Sequence, residues 1–495
     1  MQVELKDLNV VSLPRANSFI TYFTLRRVFV WALLLSLFAL AVQQCSSIDW
    51  DFWWHLKAGQ YIIQSKSIPH VDPFSFTRAG AEWITHEWLS EVIMYAVFRA
   101  GGWIGLFILF GTTITAAWAI CFQRCEGKPF TAAFAVVFAA AASASLFGFR
   151  PQMFTLLLAS IFIALLDGYL SCGERRVIWL LPLLMLLWVN LHAGFALGLA
   201  LIVLFVVMAG LDGEWKRIKP LLLTLTVCVA IVPLNPNGFR MFSYPFETLS
   251  APAMQGFIEE WFSPDFHQFR FLPLAALILA TFSAMALSPT RPRRGELFAL
   301  VSLSFAALRS GRHIPIFAIF AAPLFAKYLA HWISAQTSSL ITLRSATATG
   351  SNIVLTLALL LLPTFIIVQR VGYFSSSVAS YEAQKFPVGA VDFIAKQEAV
   401  GPIFNDYNWG GYLIWKLYPG RKVFIDGRAD VYGDAFIFEY LRTYGGERGW
   451  RDTLDRFGIQ TVLIQPNSAL TTLLREDKGW RKVFEDEQAV VFARN

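Results

Sequence analysis

The sequence predicts a polytopic α-helical membrane protein with a soluble α/β domain at its C-terminal end. Three observations support this fold class. Apolar residues make up 56% of the 495 residues and charged residues only 15%, whereas a soluble domain carries roughly a quarter charged residues. Long apolar runs recur up to residue 369. From Ser375 onward, charges of both signs become frequent, and short β-type runs alternate with helical ones.

The apolar runs are the expected membrane-spanning helices, each of which needs about 20 apolar residues. About eleven are predicted, so that 1–369 forms the transmembrane domain, 45–102 its first outer loop and 370–495 the α/β domain. The fifth, seventh and ninth spans are shorter than the others. The predicted spans are 28–44, 103–122, 131–149, 152–170, 177–190, 193–211, 220–234, 271–288, 297–308, 314–331 and 351–369.

Basic residues predict the orientation of these spans, because cytoplasmic loops are enriched in Lys and Arg. Arg15, Arg26 and Arg27 place the N-terminus in the cytoplasm. An odd number of spans then places the C-terminal domain on the periplasmic or extracellular side of the inner (plasma) membrane. The net charge of +7 is thus a topology signal, and the absence of nucleic-acid motifs predicts no nucleic-acid partner. The other cytoplasmic basic residues are Arg124, Lys128, Arg175, Arg176, Lys216, Arg217, Lys219, Arg291, Arg293, Arg294 and Arg344.

A pair of reporter fusions tests this orientation. A reporter that works only outside the cytoplasm should be active after Asn495 and inactive at Gly213, because the basic loops place these two positions on opposite sides. A reporter that works only in the cytoplasm should give the reverse pattern. Activity of this second reporter after Asn495 would contradict the predicted topology.

Two carboxylates directly follow the first predicted span, within a cluster of tryptophans. Asp51 is the first candidate for a catalytic carboxylate and Asp49 the second, because acids at a membrane boundary are costly unless they are used. Around them, Asp51–Gln64 and His86–Arg99 have the pattern of two helices that lie on the membrane. The alternative interpretation is an aromatic belt with solvated acids beside it.

The short outer turns are unusual because they carry basic residues. A group of Arg and His side chains on this side predicts an anionic partner, and the alternative is that each side chain extends to lipid headgroups. These candidates for phosphate binding are Arg150, His192, Arg309, Arg312 and His313.

The C-terminal region predicts a compact α/β domain of ordinary size. Helices are expected at Val388–Glu398, Trp409–Leu417 and Ala435–Tyr444. Extended segments are expected at Pro402–Asn405, Lys422–Asp426, Ile459–Gln465 and Ala489–Ala493.

Common enzyme fingerprints are missing from the sequence. It contains no phosphate-binding glycine loop, no dinucleotide-binding motif, no paired Cys-x-x-Cys and no Gly-x-Ser-x-Gly elbow. The polar candidates instead lie on the outer side, where nucleotide-activated substrates are scarce. An enzyme acting there needs a substrate that is activated beforehand and carried by the membrane, and a lipid-linked phosphate or pyrophosphate fits the basic turns.

This arrangement resembles the GT-C superfamily of membrane glycosyltransferases, which use sugars linked to polyprenyl phosphates. Asp49-x-Asp51 occupies the place of the acidic motif that follows the first span in that superfamily. The run Asp51-Phe52-Trp53-Trp54-His55-Leu56-Lys57-Ala58 is similar to the oligosaccharyltransferase pattern Asp-Pro-x-Phe-Asn-x-Arg-Ala. His86 lies where protein mannosyltransferases and lipid A aminoarabinose transferases have a His-Pro-Pro segment.

The C-terminal domain carries a second resemblance. Asp406-Tyr407-Asn408-Trp409-Gly410-Gly411-Tyr412 is similar to the Trp-Trp-Asp-Tyr-Gly signature of oligosaccharyltransferases. The resemblance implies that Asn408, Trp409 and Tyr412 bind the acceptor. Asn408 replaces the Asp that reads the acceptor hydroxyl in that family, so the chain departs from the pattern for an Asn-x-Ser/Thr acceptor.

The resemblance implies transfer of a sugar or oligosaccharide from a polyprenyl-(pyro)phosphate donor to a protein, lipid or glycan acceptor. A carboxylate would act as base or metal ligand, and cations would stabilise the departing phosphate. Asp49 and Asp51, with Glu87, could supply oxygen ligands to Mg²⁺ or Mn²⁺. The implied catalytic residues are Asp51, Asp49, His55, His86 and Glu87.

Several outer residues have two interpretations. Glu259 and Glu260, in the outer loop Asn235–Arg270, are either solvated acids or part of the site, because a late outer loop contributes acids to the site in oligosaccharyltransferases. Asp426 and Arg428 are expected to form a structural ion pair, and Asp72 is expected to stabilise a turn before Pro73.

The competing hypothesis for the whole chain is a membrane transporter or an assembly scaffold whose outer domain binds a partner. A transporter should carry charges at mid-membrane, and most predicted spans have none.

Overall fold

The computed structural model describes residues 25–127, 129–173, 175–336, 350–397 and 401–495. Four residues used in the predictions above lie outside these ranges. They are Arg15, Lys128, Arg344 and Glu398.

Apolar helices form the larger part of the molecule, and one lies at each of the eleven predicted positions. Eight segments of the described ranges are long and apolar enough to cross a membrane. The exact number of spans stays a prediction, because α7 (Leu181–Leu191), α8 (Phe195–Leu211) and α13 (Arg294–Arg309) are shorter than these eight. The helices are α1 (Leu25–Cys45), α3 (Trp88–Arg124), α4 (Pro129–Ser143), α5 (Gln152–Cys172), α6 (Arg175–Ile178), α7 (Leu181–Leu191), α8 (Phe195–Leu211), α9 (Trp215–Ile231), α12 (Leu272–Leu287), α13 (Arg294–Arg309), α14 (Ile314–Gln336) and α15 (Gly350–Lys385).

The first loop folds as predicted at the end of the bundle that carries Asp49, which we call the outer face. Helix α2 (Phe52–Ser65) matches the first interfacial helix. The second interfacial helix is the outer part of α3, which breaks at Gly102 with φ 55°. Helix α2 rests directly on α3, because a side chain at Gly59 would approach the carbonyl oxygen of Glu91 to 2.1 Å. This close packing places polar residues of the two helices side by side.

The predicted Asn235–Arg270 loop contains two further helices. These are α10 (Arg240–Ser250) and α11 (Pro252–Phe257). Helix α15 continues without interruption through the predicted domain boundary at 369–370, which stays a prediction.

The C-terminal domain is built on a four-stranded sheet in the order β1-β2-β4-β3. Strands β1 and β2 are parallel, with Ile403 opposite Thr461, whereas β4 is antiparallel to both of its neighbours. Three of the predicted extended segments form strands, and β3 was not predicted. The elements are α16 (Val388–Ala395), β1 (Ile403–Asn405), α17 (Gly410–Leu417), α18 (Ala429–Tyr444), α19 (Trp450–Arg456), β2 (Thr461–Ile464), α20 (Ala469–Glu476), β3 (Trp480–Glu485) and β4 (Val490–Arg494).

The segment Lys422–Asp426 was predicted to be extended, and Val423 forms an isolated parallel bridge with Ser75 of the first loop. This segment does not join the sheet, because its backbone pairs with the first loop instead. The Val423 amide donates to the Phe74 carbonyl at 3.1 Å, and the Phe76 amide donates to the Val423 carbonyl at the same distance. The segment therefore connects the C-terminal domain to the first loop.

A buried ion cluster strengthens this connection. Arg428 donates to Asp426 at 2.7 Å and to Asp72 of the first loop at 2.8 Å. Asp72 also accepts the amide of Phe74, so the predicted turn and the predicted Asp426–Arg428 pair both form. Tyr432 donates to Asp426 at 2.6 Å. Removing one partner would leave a buried charge uncompensated. The cluster therefore holds the C-terminal domain and the first loop in one arrangement.

Candidate active site

A cavity of about 450 Å³ opens at the outer face. The first loop, the outer turns, the Asn235–Arg270 loop and the C-terminal domain all contribute to it. Part of its wall is apolar, with Leu146, Phe147 and Leu197 among the lining residues. The ionisable and histidine side chains that line it are Asp51, His55, His86, Glu87, Arg150, His192, Glu260, Arg312, His313 and Asp430.

Asp49 and Asp51 share the guanidinium of Arg150. The distance from Nη2 of Arg150 is 3.1 Å to Asp49 Oδ2 and 3.9 Å to Asp51 Oδ2. The backbone amide of Asp51 also donates to Asp49 Oδ1 at 2.9 Å, and Trp54 Nε1 donates to Asp51 Oδ1 at 3.1 Å. Asp49 is thus the better-paired carboxylate, and Asp51 is the one that lines the cavity.

The surroundings separate the pKa values of these two acids. Burial disfavours the charged form of Asp49, but Arg150 and the Asp51 amide hold its pKa below the usual range. Burial and the negative charge of Asp49 raise the pKa of Asp51 to about 6. A carboxylate with this pKa is largely ionised at neutral pH and can accept a proton, which is what a general base requires.

Glu260 lies opposite the two aspartates and joins two arginines. It pairs with Arg150, and its second oxygen lies 3.2 Å from Nε of Arg312. The Arg312 guanidinium also covers the ring of Trp261 at 4.4 Å. Glu260 is therefore part of the site, as one of its two interpretations predicted.

Glu87 is surrounded by three histidines. Its carboxylate lies 3.5 Å from Nδ1 of His55, 3.6 Å from Nε2 of His86 and 3.8 Å from Nε2 of His192. Burial alone would raise the pKa of Glu87, yet the neighbouring imidazoles hold it well below its usual range. Glu87 is consequently a permanent negative charge at the cavity wall.

The histidines around Glu87 differ in charge. Burial opposes protonation of His86, but Glu87 raises its pKa to about 9. Burial lowers the pKa of His192 to about 3, and its Nδ1 accepts the Gly194 amide at 2.9 Å. His192 is thus a neutral donor through Nε2, whereas His86 is a cation at neutral pH.

The C-terminal domain reaches the site at Gly427 and Asp430. A side chain at Gly427 would approach Asp51 Oδ1 to 1.8 Å, so only glycine fits beside this carboxylate. Asp430 accepts a hydrogen bond of 3.4 Å from Tyr244, whose ring lies 4.6 Å from that of His86. The domain therefore forms one wall of the cavity next to the candidate base.

The structure brings together most of the residues that the sequence suggested. Asp51 lines one cavity with four of the five residues predicted to bind phosphate, Arg150, His192, Arg312 and His313. Arg309 is exposed at the end of α13 and does not line this cavity.

The predicted acceptor-binding residues lie elsewhere. Trp409 and Tyr412 are 2% and 1% exposed and pack into the core. The Tyr412 ring stacks on Phe386 at 5.0 Å and contacts the edge of Trp53 at 5.6 Å. Asn408 is half-buried, and none of the three lines the cavity. Tyr412 thus packs α17 against α2. The binding of an acceptor by Asn408, Trp409 and Tyr412 stays a prediction.

Three residues of the site were not recognised in the sequence. Glu91 lies one helical turn after Glu87, and this spacing could have placed both acids on one face of α3. Tyr244 and Asp430 carry no local signal, because only the tertiary fold brings them to the cavity.

Solved structures share this architecture. The crystal structure of ArnT from Cupriavidus metallidurans bound to undecaprenyl phosphate covers 95% of this chain and 98% of its own, with a TM-score of 0.53 and 14% identity. The archaeal oligosaccharyltransferase AglB from Archaeoglobus fulgidus, in complex with an inhibitory peptide and a dolichol-phosphate, covers 97% of this chain and 75% of its own, with a TM-score of 0.51 and 12% identity. No protein-family model and no curated protein matches the chain.

Both solved proteins are GT-C glycosyltransferases. Their sequence identity to this chain is low, so the likeness concerns the fold. It extends over the bundle and the C-terminal domain together, in agreement with the resemblance seen in the sequence. The chain is therefore a multi-pass membrane protein with the GT-C glycosyltransferase fold.

Proposed function

We propose that the protein is a membrane glycosyltransferase. It transfers a sugar or oligosaccharide from a polyprenyl-(pyro)phosphate donor to an acceptor at the outer face of the inner (plasma) membrane. The observation that carries this proposal is the combination of Asp51 and Arg150 in one cavity with a partly apolar wall. A base, an anion-binding cation and a surface for a lipid chain are the parts that such a reaction needs.

Asp51 accepts the proton of the acceptor nucleophile in the proposed reaction. The nucleophile attacks the anomeric carbon, and the bond from this carbon to the phosphate oxygen breaks. Arg150 and Arg312 stabilise the negative charge that the leaving phosphate acquires, because charge-assisted hydrogen bonds are strong where water is excluded. His192, a neutral donor, can hydrogen-bond another oxygen without changing the net charge.

The structures of relatives support the choice of donor. The crystal structure of ArnT contains bound undecaprenyl phosphate, and the AglB structure is a complex with a dolichol-phosphate. We transfer this ligand class to the present chain because its cavity combines guanidinium groups with an apolar wall.

A second cavity of about 190 Å³ lies next to the first and suggests a route for the acceptor. Tyr244 and Asp430 line both cavities. The second cavity also carries Glu82 and Glu247, each paired with Arg240. We propose that the acceptor approaches through this polar cavity and the lipid donor through the larger, more apolar one.

Binding of a polyprenyl phosphate to the purified chain tests the donor assignment. We expect Arg312→Met to weaken binding about 10–100-fold, because it removes a hydrogen bond between charged groups. Arg270→Met is the matched control, since Arg270 is exposed and its partners are Glu259, Gln268 and the ring of Phe271, none of which lines the cavity. Equal affinities of the wild type and the Arg312 variant would contradict a phosphate site in this cavity.

The rate of transfer should depend on the ionisation of Asp51. We expect kcat/KM to fall about tenfold per pH unit below about pH 6, because Asp51 is protonated there and cannot act as a base. In Asp49→Asn the acid limb should move to lower pH, because the charge that raises the pKa of Asp51 is gone. The measurement is a pH–rate profile with the melting temperature recorded at each pH. An acid limb that stays in place in Asp49→Asn would contradict Asp51 as the titrating group.

A further inference from the structure

Three buried side chains, two of which line the cavity, converge at the contact between α2 and α3. Nδ1 of His55 lies 3.5 Å from Glu87 Oε1 and 3.6 Å from Glu91 Oε1. The three side chains are 4%, 7% and 1% exposed, and one ligand atom from each lies within 4.8 Å of the other two. Among the described residues, His55 Nδ1 and Glu91 Oε2 have no hydrogen-bond partner. Buried polar atoms are rarely left without a partner, so this group points to a ligand.

The spacing of these atoms matches the coordination sphere of a metal ion. Four ligands at about 2.1 Å from Zn²⁺ in a tetrahedron lie about 3.4 Å apart. Neighbouring ligands of octahedral Mg²⁺ lie about 3.0 Å apart. The two distances from His55 Nδ1, 3.5 and 3.6 Å, are close to the tetrahedral value, and the ligand atoms of Glu87 and Glu91 lie within 4.8 Å of each other. One imidazole with two carboxylates is also a ligand set that suits Zn²⁺ better than Mg²⁺.

The balance of charge around the cavity favours a bound cation. Arg150, Arg312, the imidazolium of His86 and Lys385 beside Asp49 are four cations among six carboxylates, which leaves an excess of negative charge in a cavity that takes a phosphate donor. A divalent ion would reduce this excess and attract the anionic donor. The six acids are Asp49, Asp51, Glu87, Glu91, Glu260 and Asp430.

Asp49 and Asp51, the metal ligands suggested by the sequence, are less suited to this role. The guanidinium of Arg150 already lies between them, at 3.1 and 3.9 Å. A cation placed there would have to displace Arg150. His55, Glu87 and Glu91 have no arginine or lysine among their described ion-pair partners.

We propose that His55, Glu87 and Glu91 bind a divalent transition-metal ion, Zn²⁺ in preference to Mg²⁺. The ion joins α2 to the start of α3. His55 and Glu87 line the cavity whereas Glu91 does not, so the remaining coordination position faces the cavity. The site is separate from the Asp49–Asp51–Arg150 group, and metal binding can be measured whether or not the proposed transfer reaction is observed.

The test is the metal content and zinc affinity of the full chain, purified in detergent without chelator. We expect about one zinc ion per chain, and a zinc-dependent rise in melting temperature after chelation and readdition. Glu91→Gln keeps the size of the side chain and should weaken zinc binding at least about 100-fold. His267→Ala is the control, because His267 is fully exposed and pairs only with Asp265 among the described ion pairs.

Three results would overturn the proposal. The first is a chain without metal whose melting temperature does not respond to Zn²⁺, which would mean that His55 is an imidazolium between two carboxylates. The second is zinc that persists in both Glu91→Gln and His55→Ala. The third is zinc that is lost only in Asp49→Asn or Asp51→Asn, which would assign the ion to the other acidic pair.

Substitution with Co²⁺ tests the coordination geometry. It should produce the intense visible absorption of a four-coordinate ion, and the weak spectrum of a six-coordinate ion would contradict the proposed geometry.

Discussion

Replacing Asp51 by Asn is expected to lower the rate of sugar transfer by about 10²–10⁴-fold, the usual cost of losing a general base. The substitution keeps the size of the side chain and removes the charge that accepts the proton. Asp49→Asn should cost less, because Asp49 is held by Arg150 and the Asp51 amide and does not line the cavity. The measurement is glycan transfer to the native acceptor in cells that lack the wild-type chain, with protein level determined alongside.

Asp265→Asn is the matched control for these variants. Asp265 is an exposed acid in the Asn235–Arg270 loop, where it caps a turn beside His267. We expect all three variants to insert normally, since a neutral side chain at the interface is no harder to insert than a charged one. If Asp51→Asn, Asp49→Asn and the double variant all transfer at the wild-type rate, the first loop is not catalytic, and a transporter or scaffold becomes the better hypothesis.

Local patterns predicted much of this site because the chemistry lies close to the membrane boundary. Asp49 and Asp51 directly follow a span, and the basic turns stand out against the positive-inside rule. Both signals depend on a few neighbouring residues. They placed Asp51, Arg150 and His192 on the same side of the membrane without any knowledge of how the helices pack.

Contacts between distant parts of the chain could not be predicted in the same way. Arg428 and Asp72 are separated by 356 positions, and nothing in either segment indicates the other. The same limit explains why the sequence did not show that the extended segment Lys422–Asp426 pairs with the first loop and not with the sheet. It also explains why the burial of Trp409 and Tyr412 in the core was not predicted. A motif of aromatic residues looks the same in the sequence whether it binds an acceptor or fills a core.

Gly427→Ala is expected to lower the rate of transfer about 100-fold, although residue 427 carries no catalytic group. The added Cβ would lie 1.8 Å from Asp51 Oδ1 and 3.2 Å from Nε1 of Trp54. Asp51 must then move, because the chain at 427 is held by the buried Arg428 cluster. A displacement of about 1 Å in a catalytic group can cost about 10²-fold in rate.

A double-mutant cycle separates this effect from a general loss of folding. If Gly427→Ala acts through Asp51, it should add little to the loss already caused by Asp51→Asn, because the two changes disturb the same interaction. Gly420→Ala is the matched control in the same domain, since its Cβ would meet only the Leu417 carbonyl oxygen at 3.5 Å. Wild-type transfer by Gly427→Ala, or fully additive losses in the double variant, would contradict the placement of Asp51 beside Gly427. A normal melting temperature together with a non-additive loss of rate would identify Gly427 as the position where the C-terminal domain sets the orientation of the base.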